Sequence, residues 1–154
     1  MKKGEVMKSI VTGGSGFIGT AAVKYCIEKG YPIVNFDINP PKDLVFQEYW
    51  ESMDLKDFSS LVKGIIDFQP THILHLAADL GMGHKNFDNL QCNIKGIDNL
   101  IESANNIDSI QRIIFTSSLL VCENGYIPSN DTDYNPPNLY GRSKVIGEQK
   151  IRSA

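Results

Sequence analysis

The sequence predicts an α/β domain in which helices cover both faces of a doubly wound parallel sheet, giving three layers, α/β/α. Short runs rich in β-branched residues alternate with longer helical patterns along the 154 residues. Some of these runs, such as residues 113–115, are apolar throughout, which is typical of strands covered on both faces. A glycine-rich turn joins the first run to the first helical pattern.

The alternation gives the order of the elements. We expect strands at residues 8–12, 32–37, 49–54, 72–77 and 112–118. We expect helices at residues 17–29, 56–68, 87–106 and 140–152. Gly30, followed by Pro32, is suited to end the first helix, and Asn138 is suited to cap the last one. The segment 119–139, rich in Asn, Asp and Pro, is expected to be a long loop.

Composition restricts the kind of protein. The net charge of −3 gives no electrostatic basis for binding nucleic acid or an anionic membrane, and no apolar run is long enough for a transmembrane helix. Cys26, Cys92 and Cys122 are far apart and odd in number, which favours reduced thiols in a cytoplasmic protein. The three histidines lack the spacing of metal ligands, so no metal site is predicted.

The stretch IVTGGSGFIGT, residues 10–20, lies between the first strand and the first helix. Its glycines Gly13, Gly16 and Gly19 have the spacing G-x-x-G-x-x-G. In a dinucleotide-binding turn the first glycine allows the tight turn, the second lets a pyrophosphate approach, and the third lets the helix pack closely. The helix amides and dipole would then face the phosphates. Ordinary turns and flexible loops also show this spacing, so the glycines alone do not fix the ligand.

Asp37 ends the second strand, where a carboxylate can accept hydrogen bonds from both adenosine ribose hydroxyls and repel a 2′-phosphate. No arginine follows it, and Lys42 is the nearest basic residue. The sequence therefore favours NAD over NADP as a cofactor. The alternative is an exposed aspartate that merely ends a strand.

Tyr140 and Lys144 stand at positions i and i+4 and so share one face of the last helix. A tyrosine has a pKa of about 10, which is too high for a base at neutral pH. A neighbouring ammonium would stabilise the phenolate. Ser117 and Ser118 are expected to close the fifth strand at the ligand-binding edge of the sheet. The Tyr-x-x-x-Lys spacing is also common in exposed helix pairs; the glycine turn and Asp37 favour a catalytic couple.

Together these motifs resemble the extended short-chain dehydrogenase/reductase family, and within it the NAD-dependent epimerase/dehydratase group. The resemblance runs from about Lys8 to Ile151. It rests on features in the same order along the chain: TGGSGFIG, Asp37, HLAA at 75–78, NIKGIDNLIESA at 93–104, and IIFTSS followed by YGRSK. It implies a Rossmann-type sheet with strand order 3-2-1-4-5, in which strand 5 is an open apolar edge.

The resemblance also implies roles for individual residues. Ser118, Tyr140 and Lys144 would form the catalytic triad, in which Tyr140 removes a hydroxyl proton while a hydride passes from the same carbon to NAD. Lys144 would lower the pKa of Tyr140, and His75 is expected to pack in its strand. The substrate implied is a nucleotide-linked sugar. The residues expected to bind the cofactor are Gly13, Gly16, Phe17, Ile18, Gly19, Asp37, Asp54, Leu55, Leu76, Ala77, Ala78, Asn93, Tyr140 and Lys144.

The chain departs from the family pattern at several positions. Leu119 and Leu120 stand where sugar dehydratases carry an Asp-Glu pair, so dehydration is disfavoured, and an epimerase or reductase activity is favoured. Cys122 and Glu123 replace the usual Tyr-Gly. His84, in the segment after HLAA, is expected to be an exposed loop residue.

Members of the family are longer than this chain. Residues 1–154 are therefore expected to form an incomplete NAD(P)-binding domain, truncated after about five strands and without the later lobe that supplies most sugar contacts. In the family the helix that carries Tyr140 and Lys144 lies in a homodimer interface, which predicts a homodimer here. The alternative to an active oxidoreductase is a dinucleotide-binding module, or a truncated family member, without turnover.

Overall fold

The computed structural model describes residues 6–81, 86–105 and 107–154; His84 lies outside these ranges. The described strands are β1 (Ser9–Thr12), β2 (Ile33–Asp37), β3 (Trp50–Ser52), β4 (His72–His75) and β5 (Arg112–Phe115). The α-helices are α1 (Phe17–Glu28), α2 (Phe58–Phe68), α3 (Gln91–Ala104) and α4 (Leu139–Ser153). The strands are all parallel and lie in the order β3-β2-β1-β4-β5, which confirms the predicted sheet.

The apolar core lies on both faces of this sheet. Ile10 and Val11 are consecutive in β1, so their side chains point to opposite faces, and both are buried. Ile10 belongs to a cluster with Leu61 of α2 and Ile97 of α3, while Val11 clusters with Val23 of α1. Helices therefore cover both faces, as the uninterrupted apolar runs predict.

β5 forms one edge of the described sheet and is shorter than predicted. It pairs with β4, and Ile114 is 47% exposed, in agreement with the expected apolar edge. The strand ends at Phe115. Ser117 and Ser118 therefore lie beyond the strand and do not close it, because the last hydrogen bond of its pairing with β4 is donated by the Thr116 N–H, at 3.2 Å.

Two 3₁₀ segments account for two further boundary errors. β3 is confined to Trp50–Ser52 because Leu44–Tyr49 form a 3₁₀ helix, which places the start of the predicted strand at 49 outside it. A second segment, Phe87–Leu90, takes the place of the first turn of the predicted third helix. Both errors follow from local turn geometry that apolar periodicity does not register.

The predicted helix signals are confirmed. Gly30 follows α1 with φ +68°, and the N–H of Tyr31 donates to the Cys26 carbonyl at 2.9 Å, which closes the helix end. Asn138 Oδ1 accepts a hydrogen bond from the Gly141 N–H at 2.8 Å and caps α4. Within the described ranges, none of the helices has both the length and the apolar character that crossing a membrane requires.

The loop at 119–139 has more internal structure than predicted. It begins with a 3₁₀ turn, Leu119–Val121. The N–H of Glu123 donates to the Asn135 carbonyl at 2.7 Å, which brings the two ends of the loop together. Between them the Tyr126 hydroxyl donates to Asp133 Oδ1 at 2.5 Å. The polar residues that indicate a loop thus bond to one another and fold it against the start of α4.

Candidate functional site

The glycine turn after β1 is held in a conformation that requires glycine. Gly13 has φ +74°, in the left-handed region that other residues rarely adopt. Its N–H donates to the Phe36 carbonyl of β2 at 2.8 Å, and the N–H of Gly16 returns to the Gly13 carbonyl at 3.1 Å. A Cβ on Gly13 would lie 2.6 Å from the Ala77 nitrogen, so the chain leaving β4 abuts the turn.

The other two glycines determine how α1 meets this turn. A Cβ on Gly19 would lie 2.1 Å from the Gly13 carbonyl oxygen, so the helix packs there only through glycine. Gly16 is the exposed N-cap residue, and a Cβ on it would meet only the Gly13 carbonyl oxygen, at 3.2 Å. The side chains of Phe17 and Ile18 are 99% and 59% exposed. Neither residue lines the cleft described below, so a ligand there would meet them through their backbone amides at the helix N terminus.

A cleft of about 730 Å³ opens beside the glycine turn, at the carboxyl edge of the sheet. Parallel α/β sheets bind ligands at this edge. Most of the predicted cofactor residues line the cleft: Gly13, Gly16, Asp37, Asp54, Leu55, Leu76, Ala77 and Ala78. The cleft also includes residues that the motifs did not single out, among them Ser15, Ile38, Asn39, Asp79 and Cys92.

Asp37 holds its carboxylate at the mouth of this cleft. Oδ2 accepts a hydrogen bond from the Ser15 N–H at 3.0 Å, and Oδ1 accepts one from the Asn39 N–H at 2.9 Å. The Trp50 indole N–H donates to the Asp37 carbonyl at 2.9 Å and fixes the backbone as well. A carboxylate has about four acceptor positions, so positions remain on Asp37 for a ligand.

Asp54 and Leu55 lie farther along the cleft and differ in character. Asp54 is exposed; its carboxylate accepts the Lys56 N–H at 2.9 Å and pairs with Lys56 Nζ at 3.5 Å. Leu55 is buried, and its carbonyl accepts a hydrogen bond from Asn99 Nδ2 at 2.7 Å. A ligand in the cleft would thus meet a polar group at Asp54 and an apolar wall at Leu55.

Asn93, which the resemblance places among the cofactor-binding residues, does not line the cleft. It is buried, and its side-chain amide bonds both backbone groups of Asp79: Oδ1 accepts the N–H at 2.7 Å and Nδ2 donates to the carbonyl at 2.8 Å. Nδ2 also donates to Ser143 Oγ at 3.0 Å. Asn93 therefore links the segment after β4 to α4 from behind the cleft.

Tyr140 lines a second cavity, of about 690 Å³, beside the cleft. Asp79 borders the cleft and Gly81 borders the second cavity, so the short segment between them separates the two. The second cavity has apolar walls at Leu80 and Pro136, among others. The candidate catalytic tyrosine is therefore next to the candidate cofactor cleft without lining it.

Lys144 is 4% exposed and lies on the Tyr140 side of α4, as predicted. Its Nζ donates to the Thr116 carbonyl at 2.9 Å and lies 5.8 Å from the centre of the Tyr140 ring. Burial lowers the pKa of Lys144 to about 8, an effect that the Cys92 thiol opposes in part. The ammonium is thus buried close to the tyrosine and held by a carbonyl.

Tyr140 does not show the lowered pKa that the pairing with Lys144 predicts. Burial raises the pKa of its phenol above the usual value, and a hydrogen bond with the Ser118 side chain opposes part of that rise. The prediction of a lowered pKa is wrong because burial disfavours the phenolate. The i and i+4 spacing of Tyr140 and Lys144 does not reveal that burial.

Ser118 and Ser117 are held by different groups. Ser118 Oγ accepts the Leu120 N–H at 3.1 Å and caps the 3₁₀ turn. Ser117 Oγ donates to Glu148 on α4, and the Tyr134 hydroxyl donates to the other oxygen of the same carboxylate at 2.7 Å. Glu148 follows Lys144 by one helical turn and anchors the segment that carries Ser118. No motif indicated it.

His75 packs inside the sheet, as predicted. It is 1% exposed, Nδ1 is hydrogen-bonded to Thr12 Oγ1 at 2.6 Å, and its ring stacks on that of Phe115 with centroids 5.8 Å apart. Burial, together with the charge of Lys144, lowers the pKa of His75 to about 3. The ring is therefore neutral at physiological pH.

The pKa of Lys144 predicts how stability depends on pH. Between about pH 8 and its ordinary value of 10.5, the folded chain has released a proton that the unfolded chain still holds. The free energy of unfolding therefore increases as pH rises through that window. Below the window the fold bears the full cost of burying the charged Lys144 ammonium. In Lys144→Met this increase should disappear.

Urea unfolding at neutral pH and near the upper end of the window measures this increase. Lys24→Met is the matched control, since the Lys24 side chain is 63% exposed. If the free energy of unfolding of Lys144→Met depends on pH as that of the unaltered chain does, the lowered pKa of a buried Lys144 is contradicted.

The chain is similar to enzymes of known function. A family model described as "NAD dependent epimerase/dehydratase family" matches residues 9–154. The chain is 30% identical to a dTDP-4-dehydro-6-deoxyglucose reductase of Escherichia coli, over 93% of the chain and 49% of that protein. It is 27% identical to a UDP-glucose 4-epimerase of Mycolicibacterium smegmatis, over 92% of the chain and 49% of that protein. It spans about half the length of the curated relatives it matches.

Solved structures show the same fold. The Bordetella bronchiseptica enzyme WbmG, crystallised in complex with NAD, superposes with a TM-score of 0.85 at 23% identity. The superposition covers 100% of this chain and 52% of WbmG. The Rossmann-type arrangement of strands and helices is thereby confirmed.

Proposed function

Because the chain belongs to the NAD dependent epimerase/dehydratase family, we propose that it binds NAD and uses it to oxidise and reduce one carbon of a nucleotide-linked sugar. Family membership confirms the resemblance that the motifs carry. The observation that supports the proposal is one cleft running from the glycine turn past Asp37 to Ala78, beside the cavity that holds Tyr140. Residues 1–154 form the NAD-binding domain in this proposal.

The residues of the cleft fit a dinucleotide. Among the described residues, a Cβ on Gly16 would meet only the Gly13 carbonyl oxygen, so the turn is open at the N terminus of α1, where amides and the helix dipole favour a diphosphate. Asp37 would hold the adenosine ribose, and Asp54 and Leu55 would flank the adenine. The apolar residues at 76–78 would lie beside the nicotinamide ribose.

Charge around the cleft supports NAD over NADP. The carboxylate of Asp37 can accept from ribose hydroxyls, whereas it repels a 2′-phosphate. Among the described residues that line the cleft, the one with a cationic side chain is Lys56, and it is paired with Asp54 at 3.5 Å. A 2′-phosphate would thus meet repulsion at Asp37 without a free cation in the described lining.

NAD, when bound, supplies a hydride acceptor and donor next to the substrate carbon. Tyr140, as phenolate, removes the proton of the substrate hydroxyl. Ser118 donates a hydrogen bond to the same oxygen as it becomes a carbonyl. The charge of Lys144, 5.8 Å from the tyrosine ring, would favour the phenolate against the burial that raises the pKa of Tyr140.

A nucleotide-linked sugar is the substrate class that the relatives support, since their names refer to dTDP- and UDP-linked sugars. The residues after Ser118 narrow the reaction. Leu119 is 95% exposed and Leu120 is 40% exposed beside the Tyr140 cavity, and neither side chain can transfer a proton. Epimerisation or reduction is therefore favoured over dehydration.

Turnover tests this proposal. The chain would be incubated with NAD and a panel of UDP- and dTDP-linked hexoses and 4-keto sugars, with NADH added for the keto sugars. Products would be separated by chromatography and NADH followed by absorbance. We expect one sugar to be epimerised or reduced. Tight NAD binding without turnover of any sugar would favour the alternative, a dinucleotide-binding module. Absence of NAD binding would contradict both.

We further propose that the protein is cytoplasmic and forms a homodimer through α4. The free thiols of Cys26, Cys92 and Cys122 support a reducing compartment.

The resemblance supports the homodimer. Sedimentation equilibrium measures the mass of the assembly. We expect a dimer that dissociates when charge is introduced at Gln149, an exposed residue of α4. A monomer in the unaltered chain would contradict the proposed dimer.

A further inference from the structure

Asn35 occupies a position that ordinary strand packing does not explain. It lies in the middle of β2, between β1 and β3, and is 1% exposed. Strands covered on both faces are formed mainly by apolar β-branched residues. Moreover, Asn35 Oδ1 is buried without a donor among the described residues, an arrangement that destabilises a fold. An amide at this position therefore indicates a role outside packing.

The Asn35 amide is connected to the glycine turn. Nδ2 donates to Ser15 Oγ at 3.0 Å, and Ser15 Oγ in turn donates to the Asn39 carbonyl at 2.8 Å. The backbone N–H of Ser15 donates to Asp37 Oδ2 at 3.0 Å. Ser15 thus joins the turn to the end of β2 through three hydrogen bonds; those with Asn35 and Asp37 are partly buried, and the one with Asn39 is exposed.

This cluster fixes the carboxylate of Asp37. Its two oxygens accept hydrogen bonds from the backbone N–H groups of Ser15 and Asn39. Ser15 is itself held by the Asn35 amide, and Asn39 is held by the Ser15 hydroxyl. Alternate residues of a strand point to the same face, so Asn35 and Asp37 lie on one side of β2. Asn35 does not line the cleft; its influence passes through Ser15.

We infer that Asn35 is a positioning residue: through Ser15 it fixes the Asp37 carboxylate in the orientation that binds a ribose diol, and it thereby sets the preference for NAD over NADP. The inference rests on the proposed function, because it requires NAD to be the ligand of the cleft. A loosened carboxylate would lose part of its hold on the hydroxyls of NAD. It would also swing away from a 2′-phosphate and repel NADP less.

The test compares NAD and NADP binding by calorimetry in the unaltered chain, Asn35→Val and Ser15→Ala. NAD affinity should fall about tenfold in each variant, the loss expected for one hydrogen bond, while NADP affinity stays level or rises. Asn35→Val/Ser15→Ala should bind NAD no more weakly than Ser15→Ala, because both changes break the same bond. Asn35→Val should be as stable as the unaltered chain or more stable, since it removes the orphaned oxygen.

Ile33→Val is the matched control. Ile33 is buried in β2 but outside the cluster, so this variant should lose some stability and keep the NAD-to-NADP affinity ratio. Equal weakening of NAD and NADP in Asn35→Val and Ser15→Ala, or unchanged NAD affinity in both, would overturn the inference and leave the proposed function standing. If the unaltered chain binds neither nucleotide, the proposed function fails and the inference fails with it.

Discussion

Replacing Tyr140 with phenylalanine is expected to lower the turnover of a nucleotide-linked sugar by roughly a hundredfold to ten-thousandfold, the range for loss of a general base. Phenylalanine keeps the ring, whose centre lies 5.8 Å from Lys144 Nζ, so packing is preserved and only the hydroxyl is removed. Because Tyr140 does not line the cofactor cleft, NAD affinity should change little. The measurement is steady-state turnover together with calorimetric NAD binding.

Tyr25→Phe is the control for this prediction. Tyr25 is 53% exposed on α1, away from both cavities, and its loss of a hydroxyl should leave turnover unchanged. Full activity in Tyr140→Phe would show that another group moves the proton. A loss of NAD binding equal to the loss of turnover would show that the tyrosine serves binding and not proton transfer.

Gly13→Ala is expected to have the largest effect on stability. The alanine would have to adopt φ +74°, and its Cβ would lie 2.6 Å from the Ala77 nitrogen. Left-handed strain and overpacking against backbone together should lower the free energy of unfolding by about 3 kcal/mol. The turn would also shift relative to β4, so NAD binding should be lost. Urea unfolding and calorimetry measure the two effects.

Gly30→Ala separates strain from the clash. Gly30 has a similar φ of +68°, and a Cβ there would meet nothing within 4 Å. This variant should therefore lose only about 1 kcal/mol, the cost of the left-handed conformation alone, and keep its NAD affinity. Equal losses in the two variants would mean that the contact between the glycine turn and the end of β4 is not as close as the structure places it.

Features defined by short-range pattern could be predicted from the sequence. The strand order is not among them, because the family resemblance implied it; it is as expected. The glycine turn, the position of Asp37 at the end of β2 and the cap by Asn138 are also as expected. Each of these three depends on residue types a few positions apart, or on a motif whose geometry is set by the backbone. Local chemistry is sufficient for such features.

Contacts between distant parts of the chain were not predictable. Glu148 reaches Ser117 across 31 positions, and Asn93 reaches Ser143 across 50. The burial that raises the pKa of Tyr140 likewise depends on the whole fold and not on its helix. A motif can place a side chain on an element, but it does not state which groups surround it after folding.

The most direct test of this account is calorimetric titration of the unaltered chain with NAD and with NADP, with Gly16→Val as the control. A valine there would put branched carbons over the turn, where now only the Gly13 carbonyl lies within 4 Å of a Cβ. We predict that NAD binds with a micromolar or lower Kd, that NADP binds more weakly, and that Gly16→Val binds neither while its circular dichroism is unchanged. A folded chain that binds no NAD, or a Gly16→Val variant that binds it as well as the unaltered chain, would contradict the account.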